Sequence, residues 1–97
     1  MEESTRIELA DPKMVTPRLV ALREALGLSK SEFADQIGID RSSYSKIEKA
    51  NNPIPPPAAH RIWQLYGVDM NYIYLGRVDT LPAHLSKKIT SSLTAIS

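Results

Sequence analysis

The chain has 97 residues, 42% of them hydrophobic, with twelve Lys and Arg against eleven Asp and Glu and a net charge of +1. That length holds one small domain with a modest core. The absence of cysteine excludes a disulfide scaffold and cysteine-ligated zinc and fits a reducing cytoplasm; no apolar run approaches the roughly twenty residues needed to span a bilayer, and the near-neutral balance by itself points to no polyanionic partner.

The charge is unevenly spread. Residues 1–11 carry Glu2, Glu3, Glu8 and Asp11 against Arg6, a local −3 that leaves +4 for the remainder. Residues 1–12 read as a flexible acidic tail without the layout of a signal peptide. The alternation at Arg6-Ile7-Glu8-Leu9 is too short to define a strand. A first helix is expected from Thr16-Pro17, with Thr as N-cap and Pro at the first helical position. Leu19, Leu22 and Leu26 give it one apolar face, and Gly27 ends it.

Ser29–Ala50 is the most ordered pattern in the chain. Ser29 with Glu32 three residues on makes a capping box. Phe33, Ala34 and Ile37 recur at helical spacing, and Gly38 follows where a left-handed C-terminal residue belongs. Ile39 is apolar and suits the corner. Asp40 is a second N-cap, leading into a helix whose inward residues are Tyr44 and Ile47. Two helices of about eight residues, joined by a turn of three or four containing Gly, form a helix-turn-helix.

The remainder is helical with one interruption. Ala50 to Pro57 is a loop by composition, with prolines that forbid a helix until about Pro57. Ala58, Ala59, Ile62, Leu65 and Tyr66 then mark a fourth helix stopped by Gly67, with Trp63 as half-exposed packing. Asp69 caps a short fifth helix, Met70–Leu75, closed by Gly76. Leu81-Pro82 opens a last helix on which Leu81, Leu85, Ile89, Leu93 and Ile96 form a narrow apolar stripe. That stripe needs a surface to bury it, either its own domain or a second copy of the chain; the second copy is the favoured expectation.

The residues Leu28, Ser29, Phe33, Ala34, Ile37, Gly38, Ile39, Tyr44, Ser45, Ile47 and Glu48 follow the spacing of the phage lambda-repressor/Cro (Xre) family, which this stretch resembles; the likeness extends more weakly over Pro17–Gly76. The resemblance implies an all-α, five-helix lambda-repressor-like bundle with the helix-turn-helix at helices 2 and 3. Its domain would span 13–76, followed by a sixth helix in 77–97 that could serve dimerisation. It also implies a scaffold ion pair between Arg23 and Glu48, and a homodimer on double-stranded DNA with a palindromic operator, its half-sites about 34 Å apart.

On that resemblance the recognition helix presents Arg41, Ser42, Ser43, Ser45, Lys46 and Lys49. Arg41 has the donor fork for guanine, where a good bidentate pair discriminates roughly tenfold to a hundredfold. Lys46 can reach guanine or phosphate, and Lys49 suits the backbone. Ser29, Lys30 and Ser31 open the preceding helix, a natural phosphate site. Lys30 stands where relatives usually have Gln, so it is read as a phosphate contact with little sequence content. Asn51 and Asn52 replace the basic residues that relatives often carry in the next loop, and Asn51 is kept among the DNA-binding candidates.

Enzyme readings lack their parts. His60 and His84 fit no metal spacing, no serine has a nucleophile-elbow pattern, and there is no glycine-rich phosphate loop. No cofactor is implied. The expectation is a cytoplasmic, sequence-specific DNA-binding transcriptional regulator, repressor-like and without enzymatic activity. Two alternatives stay open: an antitoxin that binds both DNA and a protein partner, and a protein–protein adaptor that has lost DNA binding.

Overall fold

The computed structural model describes residues 11–96, with side chains through Leu93. Six helices follow one another: α1 (Pro12–Ala25), α2 (Lys30–Ile37), α3 (Arg41–Glu48), α4 (Pro56–Tyr66), α5 (Met70–Leu75) and α6 (Ala83–Ile96). No strand occurs among the described residues, so the all-α bundle with a sixth C-terminal helix is what the chain forms.

The first helix starts earlier than Thr16-Pro17. Asp11 is the N-cap, its carboxylate accepting the Lys13 amide at 3.0 Å, and Pro12 takes the first helical position. Asp11 and Pro12 therefore belong to α1 and not to a tail; residues 1–10 of that expected tail lie outside the described residues. The helix runs through Pro17, although proline has no amide to give to the Lys13 carbonyl. Tertiary contacts decide the matter. Val15, Leu19 and Leu22 are all buried, and the Thr16 hydroxyl, free of capping duty, donates to the Ile47 carbonyl at 2.7 Å. Burying one more apolar residue and making one long-range hydrogen bond outweigh the local start signal.

The core gathers one face from every helix: Val15, Leu19 and Leu22 from α1, Phe33 and Ile37 from α2, Tyr44 and Ile47 from α3, Ile62 from α4, Tyr72 and Ile73 from α5, and Leu85 and Ile89 from α6. Phe33 meets Tyr44 edge-on at 5.5 Å and stacks with Tyr66 at 6.1 Å, which ties α2, α3 and α4 through one ring. α4 begins at Pro56, with Pro55 as its N-cap. Trp63 is 52% exposed beside His60, and Leu65 at the last turn also faces solvent.

The apolar stripe of α6 finds its surface within the chain. Leu81, Leu85 and Ile89 are buried, Leu93 packs against the core, and α6 lies on α1. The favoured expectation of a second copy covering this stripe is corrected. α6 thus adds Leu85 and Ile89 to the core shared by the first five helices.

Candidate nucleic-acid interface

Local chemistry sets α2 and α3 at their angle. The capping box is complete: the Ser29 hydroxyl accepts the Glu32 amide at 3.1 Å, and the Ser29 amide donates to Glu32 Oε1 at 2.8 Å. The amide and hydroxyl of Ser29 hold the Glu32 carboxyl below the usual range. Gly38 ends α2 at φ 76°, a left-handed conformation that costs an L side chain roughly 1–2 kcal/mol. Ile39 then packs against the core. Asp40 caps α3 by accepting the Ser42 and Ser43 amides at 3.1 and 3.2 Å, and the Ser42 hydroxyl also donates to it. The Ser42 hydroxyl first, then the two amides, hold the Asp40 carboxyl low.

The inner side of α3 is clamped to α1. Arg23 Nε donates to Glu48 Oε2 at 2.7 Å and Nη2 to Oε1 at 3.5 Å, while Nη1 reaches the Leu28 carbonyl at 2.9 Å. The two side chains are only 12% and 6% exposed. The Tyr44 hydroxyl donates to the same carboxylate. Burial works against the charge on Arg23, but the Glu48 hydrogen bond and its attraction prevail and raise the guanidinium above its ordinary value. Burial first, then the Glu48 carboxylate, pushes the Tyr44 hydroxyl far up. The scaffold pair expected between Arg23 and Glu48 is present, with Tyr44 as a third member that spacing did not reveal.

The outer side is left to solvent. Arg41, Ser42, Ser43, Lys46 and Lys49 are exposed on α3 and its C-cap, Ser45 is half-buried, and Asn51 is exposed just beyond. Ser29 and Lys30 are exposed at the start of α2, and Ser31 is half-buried. The ten residues singled out in the sequence thus fall on α2's opening, on α3 and just after it. Ala50 closes α3 in a left-handed conformation, φ 61°, and the Asn51 amide donates back to the Lys46 carbonyl at 3.0 Å.

One residue of this region escaped sequence reasoning. Asp35, in the last turn of α2, takes both Nε and Nη2 of Arg41 at 3.3 and 2.9 Å. Their side chains are 57% and 66% exposed. The Arg41 hydrogen bond lowers the Asp35 carboxyl, and Asp35 in turn raises Arg41. The available signal was an acid and a base six residues apart across the turn, a spacing no helical rule picks out.

Among the described residues no group of three His, Cys, Asp or Glu could hold a metal ion, and no helix is long and apolar enough to cross a membrane. Residues 17–71 match the model of a family described as "Helix-turn-helix domain". No curated protein and no solved structure matches the chain.

Proposed function

The chain belongs to the helix-turn-helix domain family, in the lambda-repressor-like group, and from that premise we propose that it is a sequence-specific DNA-binding transcriptional regulator of the repressor type, acting in the cytoplasm as a homodimer on a palindromic operator. One observation carries the reading. α3 has Tyr44, Ile47 and Glu48 locked inward, while Arg41, Ser42, Ser43, Lys46 and Lys49 are turned to solvent with no packing role. A helix so held offers its outer face, N-terminal turns first, to base edges in the major groove.

In this reading Arg41, Ser42, Ser45 and Lys46 meet bases. Ser43, Lys49 and Asn51 meet sugar and phosphate. At α2, the Ser29 cap engages the Glu32 amide and leaves the Lys30 and Ser31 amides toward a phosphate, with the Lys30 ammonium beside them. Such a regulator needs no catalytic group.

The test is enrichment of a random duplex pool, with affinities by fluorescence anisotropy at two salt concentrations. A palindromic site should emerge, with affinity falling steeply as salt rises through counterion release. Arg41→Ala with Lys46→Ala should abolish the enrichment; unchanged affinity in that variant refutes the reading. The apolar stripe of α6 is taken up by its own domain, so the homodimer proposed here would use other surface, and sedimentation of the full chain with and without the selected duplex reads its mass.

The adaptor reading has an observation of its own. Residues 29–51 hold four basic and four acidic side chains, and an open apolar groove lined by Pro53, Ile54, Pro55, Pro56, Met70 and Tyr74 lies after α3. Failure to enrich any duplex, with weak binding even at low salt, favours it. Co-purification of a toxin would favour the antitoxin reading instead.

A further inference from the structure

We propose that Asp35 is a positioning residue for Arg41, and that the ligand this pair is built to read is the O6/N7 acceptor edge of a guanine; the inference rests on the DNA-binding reading above and adds to it the orienting residue and the base. The argument begins with which edge of the guanidinium is taken. Asp35 accepts from Nε and Nη2, the side edge. A guanidinium has five N–H donors in a fixed plane. Two are used, and the end edge, made by Nη1 and the second hydrogen of Nη2, keeps its own parallel pair.

The same chain holds a second side-on fork for comparison. Arg23 gives Nε and Nη2 to Glu48, and its remaining Nη1 donates to the Leu28 carbonyl. Arg41 repeats the side-on geometry, but its Nη1 has no acceptor among the described residues. One fork is complete within the fold. The other stops halfway, at the first residue of the helix whose N-terminal turn faces base edges in helix-turn-helix complexes. The end edge matches the two acceptors that guanine presents in the major groove.

The pair has no evident task within the fold. Both side chains are more than half exposed, where an ion pair adds little to stability. Its effect is on the free side chain: a long, many-rotamer arginine is held in one plane before it meets DNA, so less freedom is lost on contact. The carboxylate has a second consequence. It sits beside a cation that would otherwise suit any phosphate, and its own charge repels the backbone, which lowers binding to unselected sequence. Lys46 and Lys49, without a carboxylate fork of this kind, keep the sequence-independent part.

The experiment is a cycle on the full chain using the enriched duplex, the same duplex with each half-site's recognised guanine changed to adenine, and a random duplex. For the unmodified protein the guanine-to-adenine change should cost roughly tenfold or more, and Arg41→Ala should remove that cost. Asp35→Asn, which keeps size and loses charge, should cut the guanine penalty to a third or less while binding to random duplex holds or rises. Circular dichroism melts of Asp35→Asn should match the parent, since neither side chain enters the core. A guanine penalty of unchanged size in Asp35→Asn, or one that survives Arg41→Ala, overturns the proposal and leaves the DNA reading standing. A parent protein that enriches no duplex at all overturns both.

Discussion

Removing the Glu48 carboxylate tests the clamp that sets α3 against α1. Glu48→Ala leaves Arg23 at 12% exposure with the Leu28 carbonyl as its remaining protein acceptor, and strips the buried Tyr44 hydroxyl of its acceptor. Deleting one partner of a buried ion pair costs about 3–5 kcal/mol. Arg23 keeps one hydrogen bond and a path to water, so the lower end applies, about 3 kcal/mol, out of a total of roughly 5–15 kcal/mol for a small domain. In a domain of this size that corresponds to a fall in Tm of about 12–24 °C. The assay is urea and thermal unfolding followed by circular dichroism at neutral pH. Replacing both charges, Arg23→Met with Glu48→Met, should recover most of the loss, because two apolar groups leave no orphaned charge. A loss below about 1 kcal/mol for Glu48→Ala, or a double variant as unstable as the two single losses summed, would refute the reasoning.

Ala50 stands in a left-handed conformation where a glycine is at ease. Relieving about 1–2 kcal/mol of strain, less about 0.4–1 kcal/mol of extra freedom in the unfolded chain, Ala50→Gly should stabilise by about 0.5–1 kcal/mol; a lower Tm than the parent contradicts this. Stability should also fall at both ends of the pH range. Hydrogen bonds lower Glu32 and Asp40 in the folded state, so their contribution is complete above their ordinary values of 4.5 and 3.8 and is lost as pH drops through the depressed folded values. Burial raises the Tyr44 and Tyr72 hydroxyls above 10, so their contribution is complete below pH 10 and is lost as pH rises beyond it. Urea midpoints at about pH 3, 7 and 11 should peak at the middle value, and Tyr44→Phe should flatten the alkaline limb; a profile still rising at alkaline pH would contradict the burial argument.

What could be read in advance was what is local. The Ser29–Glu32 box, the left-handed Gly38 and the Asp40 cap each rest on residues within four positions, and all three form. The Arg23–Glu48 pair came from family likeness, since twenty-five residues separate its members. The start of α1 was misread because Thr16-Pro17 is a sound local signal overruled by a distant carbonyl, that of Ile47. The stripe on α6 was visible, but periodicity shows that a face is apolar and not what covers it; the answer lay at the other end of the chain, on α1. Asp35 carries no local signal, because its ion-pair partner lies across a turn. The ten residues chosen on α2, α3 and the next loop could be placed because their helices were legible, and eight of them are exposed; the Asp35–Arg41 ion pair had no such local signal.

The clamp on α3 also bears on how this protein can change over time. Everything that holds the helix in place lies on one side of it: the Tyr44 ring, Ile47, and the Glu48 carboxylate with its arginine. The opposite side makes only exposed polar contacts, Ser42 to the Asp40 cap and Arg41 to Asp35. Arg41, Ser42, Ser43, Lys46 and Lys49 can therefore be exchanged at small cost to folding, so that, in the DNA-binding role proposed above, a lineage could drift from one recognised sequence to another without passing through unfolded intermediates. The same division lets an experimenter randomise those five positions as a library and screen for new sites, with loss of binding reporting a change of preference and not a broken fold.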